Sequence, residues 1–289
     1  MRVAILGCGY VGLELGRQLT EAGHDVVGVR RSDDGLTAIR DAGFDAVRAD
    51  VTDMASLSAV PDVDWLVYAA SAGGRGVEAA RAAYVDGLRT VAETFGTRGS
   101  PPDRLVYTSS TGVYGDHDGD WVDESTTPDP ATDRQRVLLE AEWVALESGP
   151  IDGTVVRFGG LYGPERYRLE YYLDGPVTEG YLNSIHRNDA AGVVAHLLQT
   201  DRARDEVVLA VDDEPVSKWA FADWLADECG VARPPKQTVE ERAVEGTVSR
   251  RVRANKRCSN DRLHELGYEL RFSTVREGFR PAIDAYRSN

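Results

Sequence analysis

Short apolar runs alternate with longer amphipathic stretches through the first half of the chain. The short runs favour β-strands, and the stretches between them repeat apolar residues at helical spacing. Strands separated by helices predict βαβ units and therefore an α/β fold, a Rossmann doubly wound parallel sheet. The predicted strands are Arg2–Leu6, Asp25–Val29, Ala46–Arg48, Trp65–Ala69, Arg104–Thr108 and Gly153–Phe158, and the clearest predicted helices are Val11–Ala22, Val77–Phe95 and Asp133–Glu147.

This regular alternation fades after about residue 160. We therefore predict a dinucleotide-binding domain over residues 1–160 and a smaller C-terminal substrate-binding region over residues 161–289, interleaved with the last strands. The polar segment Gly112–Pro130 is too long for a plain connector and is a candidate substrate loop. No apolar run reaches the roughly 18 residues of a membrane span, and no cleavage site follows the first strand. We expect a cytoplasmic protein.

The first predicted strand runs into a glycine-rich loop, Gly7-Cys8-Gly9-Tyr10-Val11-Gly12. A G-x-G-x-x-G spacing between a strand and a helix is typical of dinucleotide binding. Gly7 permits the tight turn, Gly9 lets the backbone approach the pyrophosphate, and Gly12 allows the helix to pack closely on the strand. The helix start, from Tyr10 and Val11 onward, offers free N–H groups to the phosphates.

The second predicted strand ends in basic residues, where an NAD site usually carries an acidic one that binds the ribose 2′-hydroxyl. Arg30, Arg31 and Ser32 occupy this place, and a guanidinium suits a 2′-phosphate. We predict NADP as the preferred cofactor, with NAD as the other candidate. Two alternatives stay open: the arginines can form a solvated turn, and Asp33 or Asp34 can bind the ribose.

A further candidate cofactor contact follows the third predicted strand, at Asp50 and Val51. The Asp50 carboxylate is placed to accept a hydrogen bond from the adenine amino group. An ordinary helix cap is the alternative role for this residue.

Composition limits the partners. The net charge of −15 argues against a nucleic-acid partner, because binding to phosphates needs a basic surface. Aspartate is abundant and lysine occurs only at positions 218, 236 and 256, which resembles the acidic, halophilic-type surface of proteins adapted to high salt. The cysteines, Cys8, Cys229 and Cys258, have no metal-binding spacing, so we predict no metal and reduced thiols.

Several motifs in order along the chain resemble the extended short-chain dehydrogenases/reductases, the family of NAD-dependent epimerases and dehydratases. They are Val67-Tyr68-Ala69-Ala70, Val106-Tyr107-Thr108-Ser109-Ser110-Thr111-Gly112-Val113-Tyr114-Gly115, Val156-Arg157-Phe158-Gly159-Gly160-Leu161-Tyr162-Gly163-Pro164, Asn183-Ser184-Ile185-His186-Arg187-Asn188-Asp189, Ser259-Asn260 and Leu266-Gly267-Tyr268. The resemblance covers essentially the whole chain. It also implies pairing through the helices that flank the active-site strand, so a homodimer is expected.

The resemblance implies roles for individual residues. Ser110 matches the catalytic Ser/Thr that hydrogen-bonds the reacting oxygen, and Arg157 and His186 would face the substrate. The remaining implied cofactor contacts are Ala69, Ala70, Gly163 and Pro164.

The catalytic Tyr-x-x-x-Lys pair of that family is missing. Four residues before the three lysines stand Glu214, Ala232 and Val252, so the spacing occurs nowhere in the chain. In the register of the helix that should carry the pair, Arg134 replaces the tyrosine and Leu138 replaces the lysine. The chain thus resembles the atypical subgroup without this pair, and the usual lysine-assisted phenolate mechanism is absent.

Other residues must then move the proton if there is catalysis. Tyr114 is the first candidate base, with substrate-side packing as its alternative role. His117, His186 and a Tyr162–Arg166 pair are further candidates. Arg134 cannot act as a base, but it can bind a phosphate or carboxylate of the substrate.

Two functions follow. The first is an NAD(P)-dependent oxidoreductase or epimerase (an isomerase) that acts on a sugar, a sugar nucleotide or a similar small hydroxylated metabolite. The second is a non-catalytic NADP-binding redox sensor or regulatory protein, which loss of the catalytic pair would also produce. We expect an enzyme with a non-standard proton-transfer residue.

Overall fold

The computed structural model describes residues 1–74, 76–245 and 255–288. Its strands are β1 Arg2–Leu6, β2 Asp25–Arg30, β3 Asp45–Arg48, β4 Trp65–Tyr68, β5 Arg104–Ser110, β6 Trp121–Val122, β7 Asp152–Phe158, β8 Gly160–Tyr162, β9 Val177–Thr178, β10 Tyr181–Leu182, β11 Ser184–His186, β12 Glu206–Ala210, β13 Val216–Ser217, β14 Lys236–Gln237 and β15 Arg257–Cys258. Its α-helices are α1 Tyr10–Glu21, α2 Asp33–Asp41, α3 Met54–Leu57, α4 Val77–Arg81, α5 Gly87–Gly96, α6 Asp133–Leu146, α7 Leu169–Leu173, α8 Arg187–Gln199, α9 Lys218–Cys229, α10 Val239–Glu245, α11 Asp261–Glu265 and α12 Val275–Arg287. A π-helical turn, Ala82–Asp86, joins α4 to α5, and a 3-10 turn, Thr111–Tyr114, follows β5.

The central sheet has seven strands, all parallel, in the order β12–β7–β5–β4–β1–β2–β3. The predicted Rossmann α/β fold is therefore confirmed. All six predicted strands lie in this sheet, with ends within two residues of the predicted ones. Strand β12 was not predicted, because it lies where the alternation of the sequence fades.

Helices cover both faces of the sheet, and each face has its own apolar core. On one face Leu15 and Leu19 of α1 pack with Val193 and Val194 of α8. On the other face α5 and α6 bury side chains such as Leu88. Removal of this apolar surface from water is the main force that holds the layers together.

The chain after residue 160 contributes to the Rossmann layers and also builds a smaller region. Strand β12 and helix α8 complete the sheet and one helical layer. Helices α9 and α12 form a separate core in which Phe221, Phe279 and Ile283 are buried. Tyr162 joins this core and stacks on Phe279 with ring centroids 5.2 Å apart.

The direction in which the chain adds strands to the sheet reverses between β1 and β4. Loops that leave neighbouring strands on opposite sides open a crevice at the carboxyl ends of those strands, and ligands of doubly wound sheets bind there. Gly7 follows β1, and Ala69 and Ala70 follow β4. The glycine-rich loop therefore lies in the crevice that the topology creates.

Candidate dinucleotide and substrate site

The glycine-rich loop is held between two strand ends. The N–H groups of Gly7 and Cys8 both donate to the carbonyl of Val29, at 3.1 Å. Gly7 has a φ of +79° and passes so close to Ala70 that a Cβ would collide with the backbone of that residue. Only glycine satisfies both conditions at this turn.

The start of α1 presents unpaired backbone donors to the crevice. Gly9 is the N-cap, and the first intrahelical bond runs from the N–H of Leu13 to its carbonyl at 2.7 Å. The preceding N–H groups, from Tyr10 to Gly12, have no intrahelical acceptor. The first turn of the helix contains no acidic residue. Together with the positive end of the helix dipole, these donors fit a pyrophosphate.

A groove of about 500 Å³ opens beside this loop. The predicted cofactor residues that line it are Gly7, Arg30, Arg31, Ser32, Asp50, Val51 and Ala70. Residues that had not been selected from the sequence complete it, among them Gly73, Gly74, Ala82 and Ala83. The small side chains leave room for a flat ring system between the ends of β2, β3 and β4.

The two arginines after β2 differ in their contacts. The Arg31 guanidinium pairs with Asp50, with Nη1 and Oδ2 3.1 Å apart. The Arg30 guanidinium lies over the glycine loop, 2.9 Å from where a Cβ of Gly9 would be. In the described part of the chain no carboxylate lies within ion-pair distance of Arg30. Its charge is therefore available to an anion in the groove.

Of the acidic residues nearby, Asp33 and Asp50 already have partners. Asp33 pairs with Arg48, while Ser32 caps α2 by accepting a hydrogen bond from the N–H of Gly35 at 3.3 Å. Desolvation opposes the charge on Asp50, but hydrogen bonds from Thr52 and Arg31 outweigh it and hold the pKa of this carboxyl below its usual range. Asp50 is thus an ionised acceptor at the edge of the groove, in agreement with a role toward an amino group.

Ser110 ends β5 beside the first turn of α6. Its Oγ accepts a hydrogen bond from the N–H of Gly112 at 3.1 Å. The side chain of Gln135 in α6 donates to the Gly112 carbonyl at 2.6 Å and joins the turn to the helix. Gln135 and Thr132 form a capping box, which explains why α6 begins here. Ser110 is half-buried, and its role toward a reacting oxygen stays a prediction.

Arg157 belongs to a buried ionic network. Its guanidinium binds both carboxylate oxygens of Glu142, with the shortest distance 2.6 Å, and both side chains are at most 5 % exposed. Ser109 donates to the same carboxylate at 2.5 Å. This network ties α6 to β5 and β7. The role toward a substrate that the resemblance implies for Arg157 stays a prediction, and these contacts favour a structural role.

Tyr114 is part of the same network and is not placed to act as a base. Its hydroxyl donates to the carbonyl of Asp123 at 2.7 Å and accepts from Arg157 at 2.6 Å. Burial raises the pKa of Tyr114, and although Arg157 opposes this, the net shift is upward. The side chain has no exposed surface. The geometry thus favours the alternative role, packing.

Arg134 and Leu138 lie on α6, at the positions where the resemblance predicts the catalytic pair. The half-buried Arg134 donates from Nη2 to the hydroxyl of Tyr84 at 2.9 Å. Tyr84 stands in the π-helical turn, directly after two residues of the groove wall, Ala82 and Ala83. Leu138 packs against the apolar cluster around Val113 and Tyr114.

The Tyr-Gly-Pro turn lies against the glycine loop. The hydroxyl of Tyr10 donates to the carbonyl of Pro164 at 3.0 Å. Gly163, with a φ of +134°, leaves space beside Tyr10 and His186 that a Cβ would fill. The predicted Tyr162–Arg166 pair does not form, because the Arg166 guanidinium lies over the ring of Tyr10, 4.0 Å from its centroid.

The two histidine candidates have structural contacts. His186 is 3 % exposed and caps α8, with Nδ1 accepting from the N–H of Asn188 at 3.2 Å. Burial lowers the pKa of His186 to about 4, so it is neutral at physiological pH. His117 is held through its backbone N–H, which donates to the carbonyl of Asn255 at 3.0 Å.

Sequence reasoning missed two polar side chains near the site. Lys256 is 5 % exposed and donates to the Gly115 carbonyl at 3.0 Å, and burial lowers its pKa. Tyr84 was overlooked because its motif, Ala83-Tyr84-Val85, resembles ordinary helical core. A search for the Tyr-x-x-x-Lys spacing finds neither residue, because Tyr84 stands in the π-helical turn and Lys256 stands just before β15.

Within residues 1–74, 76–245 and 255–288, no group of three or more His, Cys, Asp or Glu side chains is arranged to hold a metal. The three cysteines are unpaired and buried. Of the helices in the same residues, none is both long and apolar enough to cross a membrane.

The fold and the groove define a Rossmann protein with a dinucleotide site. A family model described as NAD(P)H-binding matches residues 7–201, and the chain belongs to that family. Protein YeeZ of Escherichia coli (strain K12) is 32 % identical over 212 residues, which cover 70 % of this chain and 74 % of YeeZ.

Solved structures agree with this assignment. A putative NAD-dependent epimerase/dehydratase from Methylobacillus flagellatus is 31 % identical, with a TM-score of 0.80 and coverage of 100 % of this chain and 99 % of that one. The human epimerase family protein SDR39U1, solved with NADPH, has a TM-score of 0.77 at 18 % identity and full coverage of both chains. At that identity the likeness shows the fold alone.

Proposed function

We propose that this protein is an NADP(H)-dependent oxidoreductase or epimerase that acts on a small hydroxylated metabolite, with sugars and sugar nucleotides as the first class to test. The observation that carries the proposal is the Arg30 guanidinium, which lies over the glycine loop and has no carboxylate partner among the residues that the structure describes. An acidic residue at the end of β2 would repel a 2′-phosphate, whereas a free guanidinium binds it with charge-assisted hydrogen bonds.

Different residues of the groove would bind different parts of the cofactor. Arg30 would bind the 2′-phosphate, Asp50 would face the adenine, and the N-terminus of α1 would hold the pyrophosphate. When bound, the cofactor supplies the hydride acceptor or donor. Ser110 would then donate to the reacting oxygen of the substrate, and Arg134 would bind an anionic group if the substrate carries one.

The direct test is a parallel titration of the purified protein with NADPH and NADH at high salt, followed by turnover assays with a panel of sugars and sugar nucleotides. We expect tight NADPH binding, weaker NADH binding, and turnover that falls at least about tenfold in Ser110→Ala without loss of cofactor affinity. Binding of neither nucleotide would overturn the proposal. Equal turnover in Ser110→Ala would remove that serine from the mechanism.

A second candidate is a non-catalytic NADP-binding sensor or regulatory protein. The observation that favours it is the packing of Leu138 at the position expected for the lysine, together with the buried Tyr114 hydroxyl, which is bonded to the Asp123 carbonyl. Tight NADPH binding with no turnover on any carbonyl or hydroxyl compound of the panel would support this candidate against the enzyme.

A further inference from the structure

The helix turn before α5 carries a tyrosine that the proposed chemistry has not used. Residues 82–86 form a π-helical turn, a rare geometry that often occurs at functional sites. Tyr84 stands in the middle of it and is half-buried. The hydroxyl of Tyr68, at the end of β4, donates to the Ala83 carbonyl and holds the turn over the carboxyl end of the sheet.

The Tyr84 hydroxyl meets a cation from another helix. Arg134 donates to it from Nη2 at 2.9 Å, and the guanidinium carbon lies 5.5 Å from the centre of the ring. No carboxylate in the described residues forms an ion pair with Arg134. A guanidinium that donates to a phenolic oxygen orients the hydroxyl and would stabilise negative charge that develops on it during a proton transfer.

The pair is linked to both the cofactor groove and the turn after Ser110. Ala82 and Ala83, which directly precede Tyr84, are part of the groove wall. Gln135, next to Arg134, is hydrogen-bonded to the turn that follows Ser110. These links bring Tyr84 and Arg134 near the region in which a substrate would contact both the cofactor and Ser110.

We propose that Tyr84 is the proton-transfer residue of this protein and that Arg134 is its positioning partner, so that two helices supply the phenol and the cation. The inference rests on the proposed function. In the oxidation of an alcohol, the O–H bond of the substrate breaks and its proton goes to the Tyr84 phenolate, while the C–H bond breaks and its hydride goes to oxidised NADP. The products are a carbonyl, NADPH and the Tyr84 phenol, and reduction is the reverse.

Other ionisable groups in this region lie on the same turn and on four further elements. Tyr68 of β4 and Tyr107 of β5 interact electrostatically with Tyr84, Asp86 belongs to the same turn, and the Arg81–Glu140 ion pair joins α4 to α6. Arg81 is already neutralised by two hydrogen bonds to Glu140, at 2.9 and 2.6 Å. Arg134 is therefore the cation available to the Tyr84 oxygen among these groups.

The first test compares Tyr84→Phe with the wild-type protein in NADPH titration and in turnover. We expect cofactor affinity within about twofold and turnover lower by at least about 100-fold, the usual contribution of general acid–base catalysis. Tyr286→Phe, which removes an exposed hydroxyl from α12, is the control and should leave both quantities unchanged. Unchanged turnover in Tyr84→Phe overturns the inference and leaves the proposed function standing. The same holds if Lys256→Met loses turnover while Tyr84→Phe keeps it.

The pH profile separates a positioning role of Arg134 from a merely structural one. In Arg134→Gln the acidic limb of kcat/KM for alcohol oxidation should move to higher pH, and Arg134→Lys should restore most of the wild-type profile. A lower rate with an unmoved limb in Arg134→Gln would contradict the assigned role.

A further readout does not depend on turnover. Tetranitromethane nitrates phenolates, and peptide mass spectrometry reports the extent at each tyrosine. Nitration of Tyr84, relative to the exposed Tyr286, should fall in Arg134→Gln although the substitution opens space around the ring. Equal or faster nitration of Tyr84 in that variant overturns the inference, whereas failure of NADPH to bind the wild-type protein overturns the proposed function itself.

Discussion

In the proposed cofactor site, two neighbouring arginines differ in their contacts. The guanidinium of Arg30 lies over the glycine loop and has no acidic partner in the described part of the chain, whereas Arg31 is paired with Asp50. The sequence shows two equivalent arginines. The structure distinguishes them, because an arginine already paired with a carboxylate binds an added anion less strongly than a free one does.

Arg30→Asp should therefore weaken NADPH binding at least tenfold and leave NADH binding nearly unchanged, because only NADPH carries the 2′-phosphate. Fluorescence titration of both nucleotides measures the ratio. Arg40→Asp changes the net charge equally on the exposed end of α2 and is the control. An unchanged NADPH/NADH ratio in Arg30→Asp would rule out this assignment of the 2′-phosphate site.

The buried side chain of His186 should make the free energy of unfolding depend on pH. Its pKa is about 4 in the folded protein, below the 6.5 of an unperturbed histidine. The unfolded chain therefore binds more protons between these values, so the free energy of unfolding falls as pH decreases from about 6.5 to 4. The contribution is on the order of 3 kcal/mol, because each pKa unit corresponds to 1.36 kcal/mol.

Urea unfolding of wild type and His186→Asn across this pH range checks the prediction. Asparagine keeps an acceptor at the N-cap of α8 but does not titrate. The stability difference between the two proteins should shrink toward pH 4, while carboxylates with shifted pKa values, such as Asp212, affect both alike. A difference that is independent of pH would show that His186 does not titrate as assigned.

Among the elements, helix α6 links the central sheet to the proposed catalytic residues. Glu142 fixes it to β7 through Arg157 and to β5 through Ser109. Its first turn places Gln135 on the Gly112 carbonyl and Arg134 on Tyr84. A buried carboxylate in the middle of the helix therefore controls the position of the residues at its start.

Glu142→Gln should lower the free energy of unfolding by about 3–5 kcal/mol, because it leaves the buried Arg157 cation without its counter-charge. Glu140→Gln, two residues earlier on the same helix, is the matched control. Its more exposed pair with Arg81 should contribute much less, because solvent screens it. Equal effects of the two substitutions in urea unfolding would contradict the burial argument.

The whole molecule carries a net charge of −15, which acts against the compact state through self-repulsion. Salt screens the repulsion between exposed charges that lie farther apart than the Debye length, which is about 10 Å at 0.1 M. Many arginine–carboxylate pairs join different elements, for example Arg204 with Asp103 and Asp152, and salt weakens these as well. The excess of acidic over basic residues makes screening of repulsion the larger effect.

The melting temperature should therefore rise with KCl, by on the order of 5 °C between low salt and about 1 M, since each 1 kcal/mol shifts the transition of a chain of this size by about 2–4 °C. Thermal unfolding followed by circular dichroism measures it. Glycerol, which does not screen charge, is the control. A melting temperature that falls with KCl would show that the surface ion pairs outweigh the repulsion.

The sequence by itself determined the features that depend on neighbouring residues. The strand–glycine loop–helix unit, the basic end of β2 and the parallel alternation of strands all follow from local spacing, because backbone turns, helix starts and strand patterns are set within a few residues. Strand β12 and the break of the helix at residues 82–86 were not predicted, since their stability comes from packing against distant parts of the chain.

Only the tertiary structure decided which side chains meet. Arg157 and Tyr114 belong to motifs that imply a role at the substrate, but in the structure both are buried in the network around Glu142. Tyr84 and Arg134 are 50 residues apart in sequence and 2.9 Å apart in the fold. A contact of this kind depends on how two helices cross over a sheet, and no spacing within either helix contains that information.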